Sequence, residues 1–134
     1  MSKKILVTGG SGFIGSNLVN LLLINNYKVI NLDIINYSST PDKYKDFTNN
    51  KNYKFYKKNI GNSKFIEKIF TENKIDGVFN LASHSHVDRS IDNPVRFIKE
   101  NIFSNLKFID QINLLNKKKK FLGKFINIST DEVY

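Results

Sequence analysis

The sequence predicts an α/β domain with a doubly wound, mainly parallel sheet of five strands. Three observations carry that prediction. Short apolar runs alternate with segments of helical period along the whole chain, as they do in successive βαβ units. The first run breaks into the glycine-rich turn Gly9-Gly10-Ser11-Gly12 before a helix begins. At 134 residues the chain has the size of one domain around one core.

Each element has a local reason. Ile5-Leu6-Val7 reads as a buried strand, and from Phe13 the spacing turns helical, with Ile14, Leu18, Leu21 and Leu22 on one face. Lys28 to Leu32 forms the second strand. Tyr53 to Lys58 forms a weaker third, with partial alternation. Asn62 or Ser63 can cap the next helix, which buries Phe65, Ile66, Ile69 and Phe70. Gly77 to Ala82 is the fourth strand. Asn93-Pro94 opens a long helix, because proline in the first turn gives up only an N–H that the helix leaves unused. Its apolar stripe is Val95, Ile98, Ile102, Leu106, Ile109 and Ile112, and Lys124 to Ile128 is the fifth strand. Ile34 to Asn52 is polar and turn-rich, a long loop with a short helix near Lys43 to Phe47. Loops of that length are usually functional.

Composition narrows the function classes. The absence of cysteine excludes disulfides and thiol catalysis. No signal peptide precedes the first strand, and Leu18 to Ile24 is too short to span a bilayer, so a cytoplasmic protein without membrane attachment is expected. The net charge of +9 raises nucleic-acid binding. The lysines are scattered among Asn and Ile, however, and no recognition fold accompanies them, so no nucleic-acid partner is expected. The dense block Lys117 to Lys120 falls in a solvated helix-to-strand connection. A positive potential does suit dinucleotides and nucleotide sugars. His84 and His86 form an H-x-H pair, but no further His or Cys completes a zinc set, so no metal is expected.

Gly10-x-Gly12-x-x-Gly15 lies between a strand and a helix, which is the context a Rossmann-type dinucleotide site requires. The first glycine permits a tight turn, the second lets a pyrophosphate approach the backbone, and the third lets helix and sheet pack closely. Exposed N–H groups at the helix start attract the phosphates. Asp33, at the end of the second strand, is placed to bind the adenosine ribose hydroxyls. Its charge would repel a 2′-phosphate and no Arg follows it, which favours NAD over NADP.

Three segments carry a family resemblance. Thr8-Gly9-Gly10-Ser11-Gly12-Phe13-Ile14-Gly15 is similar to the TGxxGxxG turn of extended short-chain dehydrogenases/reductases. Leu81-Ala82-Ser83-His84-Ser85-His86-Val87-Asp88-Arg89-Ser90 resembles the LAAxSHVDRS segment of dTDP-glucose 4,6-dehydratases, and Ile128-Ser129-Thr130-Asp131-Glu132-Val133-Tyr134 their ISTDEVYG motif. The resemblance implies NAD-dependent dehydration of a nucleotide-diphosphate hexose to the 4-keto-6-deoxy sugar. Hydride transfer from C4 to NAD acidifies the C5 proton, water leaves across C5 and C6, and the hydride returns to C6. Elimination needs a base and an acid. By resemblance Glu132 is the base, Asp131 the acid, and Thr130 hydrogen-bonds the sugar near O4. Adjacent carboxylates can take opposite roles where their environments separate their pKa values.

The resemblance further implies cofactor contacts by Gly9, Gly12, Phe13, Ile14, Gly15, Asp33, Ile34, Asn36, Asn59, Ile60, Leu81, Ala82, Ser83, Ser85 and Asn101, and a substrate contact by His86. Three positions depart from the family pattern. Asn59 stands for an Asp that accepts from the adenine amino group, Glu100 for a common Thr, and His84 for a Glu or Gln. Asn keeps a carbonyl acceptor. The family's Tyr-x-x-x-Lys pair and its small carboxy-terminal substrate domain lie outside these 134 residues, and Tyr134 belongs to the DEVY motif instead. Residues 1–134 thus read as an incomplete NAD-binding Rossmann domain, truncated after the fifth strand and expected to be inactive alone. A fragment, part of a split protein and a degenerate gene product all fit. The alternatives are a UDP-sugar epimerase or decarboxylase of the same fold, against which the Asp131-Glu132 pair argues, and a non-catalytic NAD-binding module. Family members commonly dimerise through a four-helix bundle. A homodimer is therefore expected of the intact enzyme, with the helix from Pro94 contributing, and not of this chain alone.

Overall fold

Five strands form one parallel sheet in the order β3-β2-β1-β4-β5 in the computed structural model, which describes residues 2–37, 39–40, 47–84 and 91–129. The strands are β1 (Lys4–Thr8), β2 (Lys28–Asp33), β3 (Tyr53–Lys57), β4 (Gly77–Asn80) and β5 (Lys124–Asn127). Thr8 is in register with Leu32 on one side and Asn80 on the other, and Asn80 with Asn127. From β1 the sheet grows through β2 and β3 in one direction and through β4 and β5 in the other. The ends of β1 and β4 therefore flank the switch point where open α/β sheets hold their ligands.

Helices cover both faces. In β1 and β2 alternate residues divide between two cores. Ile5, Val7 and Val29 pack with Val19, Leu22 and Leu23 of α1 (Phe13–Ile24) and with Phe47 from the long loop. Leu6, Ile30 and Leu32 pack on the other face with Ile66, Ile69 and Phe70 of α2 (Ser63–Glu72) and Phe108, Ile112 and Leu115 of α4 (Ser104–Lys117). Asn62 caps α2 as expected, accepting from the Phe65 N–H at 3.1 Å. The basic block sits where the sequence places it, and Lys118 and Lys120 both approach Glu67, at 3.5 and 3.6 Å. Exposed pairs of this kind contribute little.

Two helix faces differ from the sequence pattern. In α1 the buried set is Gly15, Ser16, Val19, Leu22 and Leu23, while Ile14 and Leu21 are exposed. That helix is apolar nearly all round, so periodicity does not choose a face. The small residues Gly15 and Ser16 do, because only that side can approach the β1 turn. The long helix is continuous but not uniform. α3 (Pro94–Ile98) passes through a π-helical turn, Lys99–Phe103, into α4. The inserted turn shifts the phase, so Phe108, Ile112 and Leu115 face the core while Val95, Ile98, Ile102 and Leu106 are exposed. Most of the short helix expected at Lys43 to Phe47 falls outside the described residues, and Phe47 itself is the buried residue of an otherwise exposed turn, edge-on to Tyr53. No described helix is long and apolar enough to cross a membrane.

Candidate functional site

The glycine turn is built by close approach. Gly9 adopts φ +69°, its N–H donates to the Leu32 carbonyl at 3.0 Å, and a Cβ there would meet the Leu81 carbonyl at 2.8 Å. The tight turn expected at Gly10 thus takes its left-handed residue at Gly9, one position earlier. At Gly10 the constraint is packing, since a Cβ would lie 2.4 Å from Asn31 Oδ1. At Gly15 a Cβ would lie 2.1 Å from the Gly9 carbonyl oxygen, so helix α1 rests directly on the turn. Gly12 is different. Its nearest neighbour is at an ordinary 3.4 Å, it caps α1 without a side chain, and no acid occupies the first turn. The positive end of α1 is therefore open to an anion, with no Cβ in the way of a diphosphate.

Asp33, at the end of β2, braces two loops. Its Oδ2 accepts from the Ser11 N–H at 3.0 Å and its Oδ1 from the Ile35 N–H at 2.8 Å. Each oxygen keeps a further lone pair for hydroxyl donors. Ile35 sits at φ +52°, rare for a β-branched residue. The Asp33 bond holds it there, and the loop returns when Thr40 N–H donates to the Ser11 carbonyl at 2.7 Å. Beyond β3, Asn59 Oδ1 accepts from the Gly61 N–H at 2.7 Å, and Ile60 is buried in the core. One acceptor site on Asn59 is thereby used by its own turn, and Ile60 can reach a ligand only through its backbone.

The loop after β4 is held by side chains. Thr8 Oγ1 donates to Asn80 Oδ1 at 2.6 Å, and Asn80 Nδ2 donates to both Asn105 Oδ1 and Asn127 Oδ1 at 2.7 Å. Asn105 Nδ2 in turn reaches the Ala82 carbonyl at 3.2 Å. Asn101, in the π turn, clamps the His84 backbone at both ends: its Oδ1 accepts from His84 N–H at 2.7 Å and its Nδ2 donates to His84 O at 2.8 Å. The adjacent Glu100 pairs with buried His84 and with Arg96 Nε at 3.1 Å. Partial burial pushes the Glu100 carboxyl upward, but the hydrogen bonds from His84 and Arg96 outweigh it and hold its pKa below the usual glutamate range.

Gly9, Gly12, Gly15, Asp33, Asn36, Leu81, Ala82 and Asn101 thus meet around the ends of β1, β2 and β4, with Phe13 and Ile14 exposed at the start of α1. Ile34 follows Asp33, and Ser83 is exposed beside buried His84. Ser85, His86, Thr130, Asp131 and Glu132 lie outside the described residues. Sequence reasoning missed Asn80 and Asn105 altogether. Their only signal is register, Asn80 beside Asn127 at two strand ends.

Comparison with known proteins gives this geometry its context. The GDP-mannose 4,6 dehydratase family model matches residues 6–134. A dTDP-glucose 4,6-dehydratase of Escherichia coli is 40% identical over 136 residues, covering 98% of this chain and 38% of that protein. The solved dTDP-glucose 4,6-dehydratase of Bacillus anthracis, in complex with NAD, superposes with a TM-score of 0.80 at 32% identity over 99% of this chain and 39% of its own. A UDP-glucose 4-epimerase of Thermotoga maritima, solved with UDP-glucose, gives a TM-score of 0.77 at 35% identity over 95% of this chain and 38% of its own. The chain thus spans about two fifths of the length of the relatives it matches.

Proposed function

The chain belongs to the GDP-mannose 4,6 dehydratase family, and from that premise we propose that it is the NAD-binding portion of a cytoplasmic dTDP-glucose 4,6-dehydratase, a lyase supplying dTDP-rhamnose biosynthesis. One observation carries the reading: the open positive end of α1 at Gly12 follows the Gly9 turn that packs on Leu81 at the β4 exit, on the switch point, with Asp33 bonded to the same turn at Ser11. The glycine turn binds the pyrophosphate through backbone N–H groups. Asp33 takes the adenosine ribose hydroxyls, and its charge selects NAD against NADP. Asn36, Asn59, Leu81, Ala82, Ser83, Ser85 and Asn101 complete the cofactor cradle, with the backbones of Phe13, Ile14, Ile34 and Ile60.

NAD supplies the hydride acceptor. The protein's own part is proton traffic: Glu132 removes the C5 proton, Asp131 protonates the departing C6 hydroxyl, and Thr130 and His86 orient the sugar. These acids follow β5, whose extension past Asn127 continues along β4 through the Ile128 N–H to Asn80 carbonyl bond at 3.0 Å. The exposed Val95, Ile98, Ile102 and Leu106 support a homodimer of the intact enzyme.

The likeness to a UDP-glucose 4-epimerase favours a second reading, epimerisation on the same scaffold. Incubating the full-length gene product with dTDP-glucose and weighing the product separates the two. Dehydration lowers the mass by one water, whereas epimerisation leaves it unchanged and refutes the proposal. In that protein Glu132→Gln should stop loss of water.

A further inference from the structure

Two residues that depart from the family pattern, His84 and Glu100, contact each other. They are 16 positions apart in sequence. His84 comes from the loop after β4 and Glu100 from the π turn, which presents Glu100 and Asn101 side by side to that loop. The His84 ring is buried and uses both nitrogens: Nε2 meets Glu100, and Nδ1 lies 3.4 Å from Asn36 Nδ2. An amide Nδ2 can only donate, so Nδ1 accepts and Nε2 carries the proton given to Glu100. The ring also stacks on Tyr37, with centroids 6.1 Å apart and planes 22° apart, and leans on Phe97 at 6.0 Å. Arg96 holds the second Glu100 oxygen at 3.1 Å.

We propose that His84 and Glu100 form a clamp that positions Asn36 and Tyr37, on the ribose side of the site, against the loop after β4. They are positioning residues. The loop after β2 meets the loop after β4 at this ring, through the Asn36 contact and the Tyr37 stack, so the clamp helps to set the width of the crevice. The Glu100 carboxylate gives the buried His84 ring N–H an acceptor, and a buried ring N–H without one is unfavourable. The inference rests on the cofactor reading for its consequence, and on geometry alone for the clamp.

The test uses this chain with His84→Ala, Glu100→Ala, the double variant and His84→Gln. NAD affinity is measured by calorimetry, and amide hydrogen exchange at Asn36 and Tyr37 is measured without NAD. Each alanine variant should weaken NAD binding about tenfold, and the double variant no more than the weaker single, as coupled residues do. His84→Gln still has one donor for Glu100 and one acceptor for Asn36, and should restore affinity to within about threefold. Exchange at Asn36 and Tyr37 should rise in the same order. Losses that multiply independently, or unchanged exchange in the alanine variants, overturn the clamp. Glu100→Gln replaces any alanine variant that does not fold, with the same direction expected. If the unaltered chain binds no NAD, the cofactor reading fails, and the exchange measurement still decides the clamp.

Discussion

The two sides of the crevice are shaped by opposite means. On the β1 side the chain is held by what is missing: Gly9, Gly10 and Gly15 allow contacts that any Cβ would block. On the β4 side it is held by what is present, a run of side-chain hydrogen bonds through Asn80, Asn105, Asn101, His84 and Glu100. A steric rule tolerates no substitution at its closest point. A polar network instead loses stability in proportion to the partners left unsatisfied. The β1 side should therefore fail abruptly and the β4 side by degrees.

The largest effect is expected at Gly15. Gly15→Ala sets a Cβ against the Gly9 carbonyl oxygen and should destabilise the fold by about 3 kcal/mol or more, read from thermal or denaturant unfolding. Gly12→Ala is its control, since that position is open, and should change stability by no more than about 1 kcal/mol. NAD affinity should nonetheless fall in Gly12→Ala. Equal destabilisation at the two glycines would end the distinction between packing and approach.

Asn80→Ala comes next. It removes a buried side chain together with the acceptor of the buried Thr8 hydroxyl and a donor to Asn105 Oδ1, while exposed Asn127 can turn to water, and should cost about 2–3 kcal/mol. Asn101→Ala removes only the two bonds to the His84 backbone and should cost about 1–2 kcal/mol, with faster amide exchange in the loop after β4. If Asn101 proved the more costly, the network would not be centred on the strand ends.

The pH dependence is smaller and has a definite sign. The Glu100 carboxyl is held below its ordinary pKa in the folded chain. Its contribution is thus fully present above the unfolded glutamate value of about 4.3 and is lost as pH falls through the lower folded value. The stability gap between the native chain and Glu100→Gln should therefore close under acid. A gap that widens under acid would mean the pair does not favour the ionised carboxylate. The smallest effect on folding is expected from Ile102→Ser on the exposed helix face, which should leave the unfolding midpoint nearly unchanged while reducing self-association of the full-length gene product in light scattering.

The contrast also explains what the sequence could tell. Glycines at fixed spacing before a helix are a local signal, so the β1 turn, Asp33 and the strand–helix alternation of a doubly wound sheet follow from short windows, whereas the strand order comes only from the fold. Even there the positive φ fell on Gly9, one position before the motif's first glycine, because the turn must clear Leu81. The β4 side depends on residues that meet only after folding. His84 and Glu100 look like unrelated irregularities until the π turn, invisible to a period count, brings them together. The face of α1 was equally illegible, since apolar residues surround it and the small pair Gly15-Ser16 makes the choice.

The central claim is that the crevice between β1 and β4 takes NAD. The most direct test is an amide NMR titration of this chain with NAD. Saturable shifts are expected at Gly12, Gly15, Asn36 and Ala82, and they should be much weaker with NADP. A titration without shifts, or with shifts confined to residues away from the β1 and β4 ends, would contradict it.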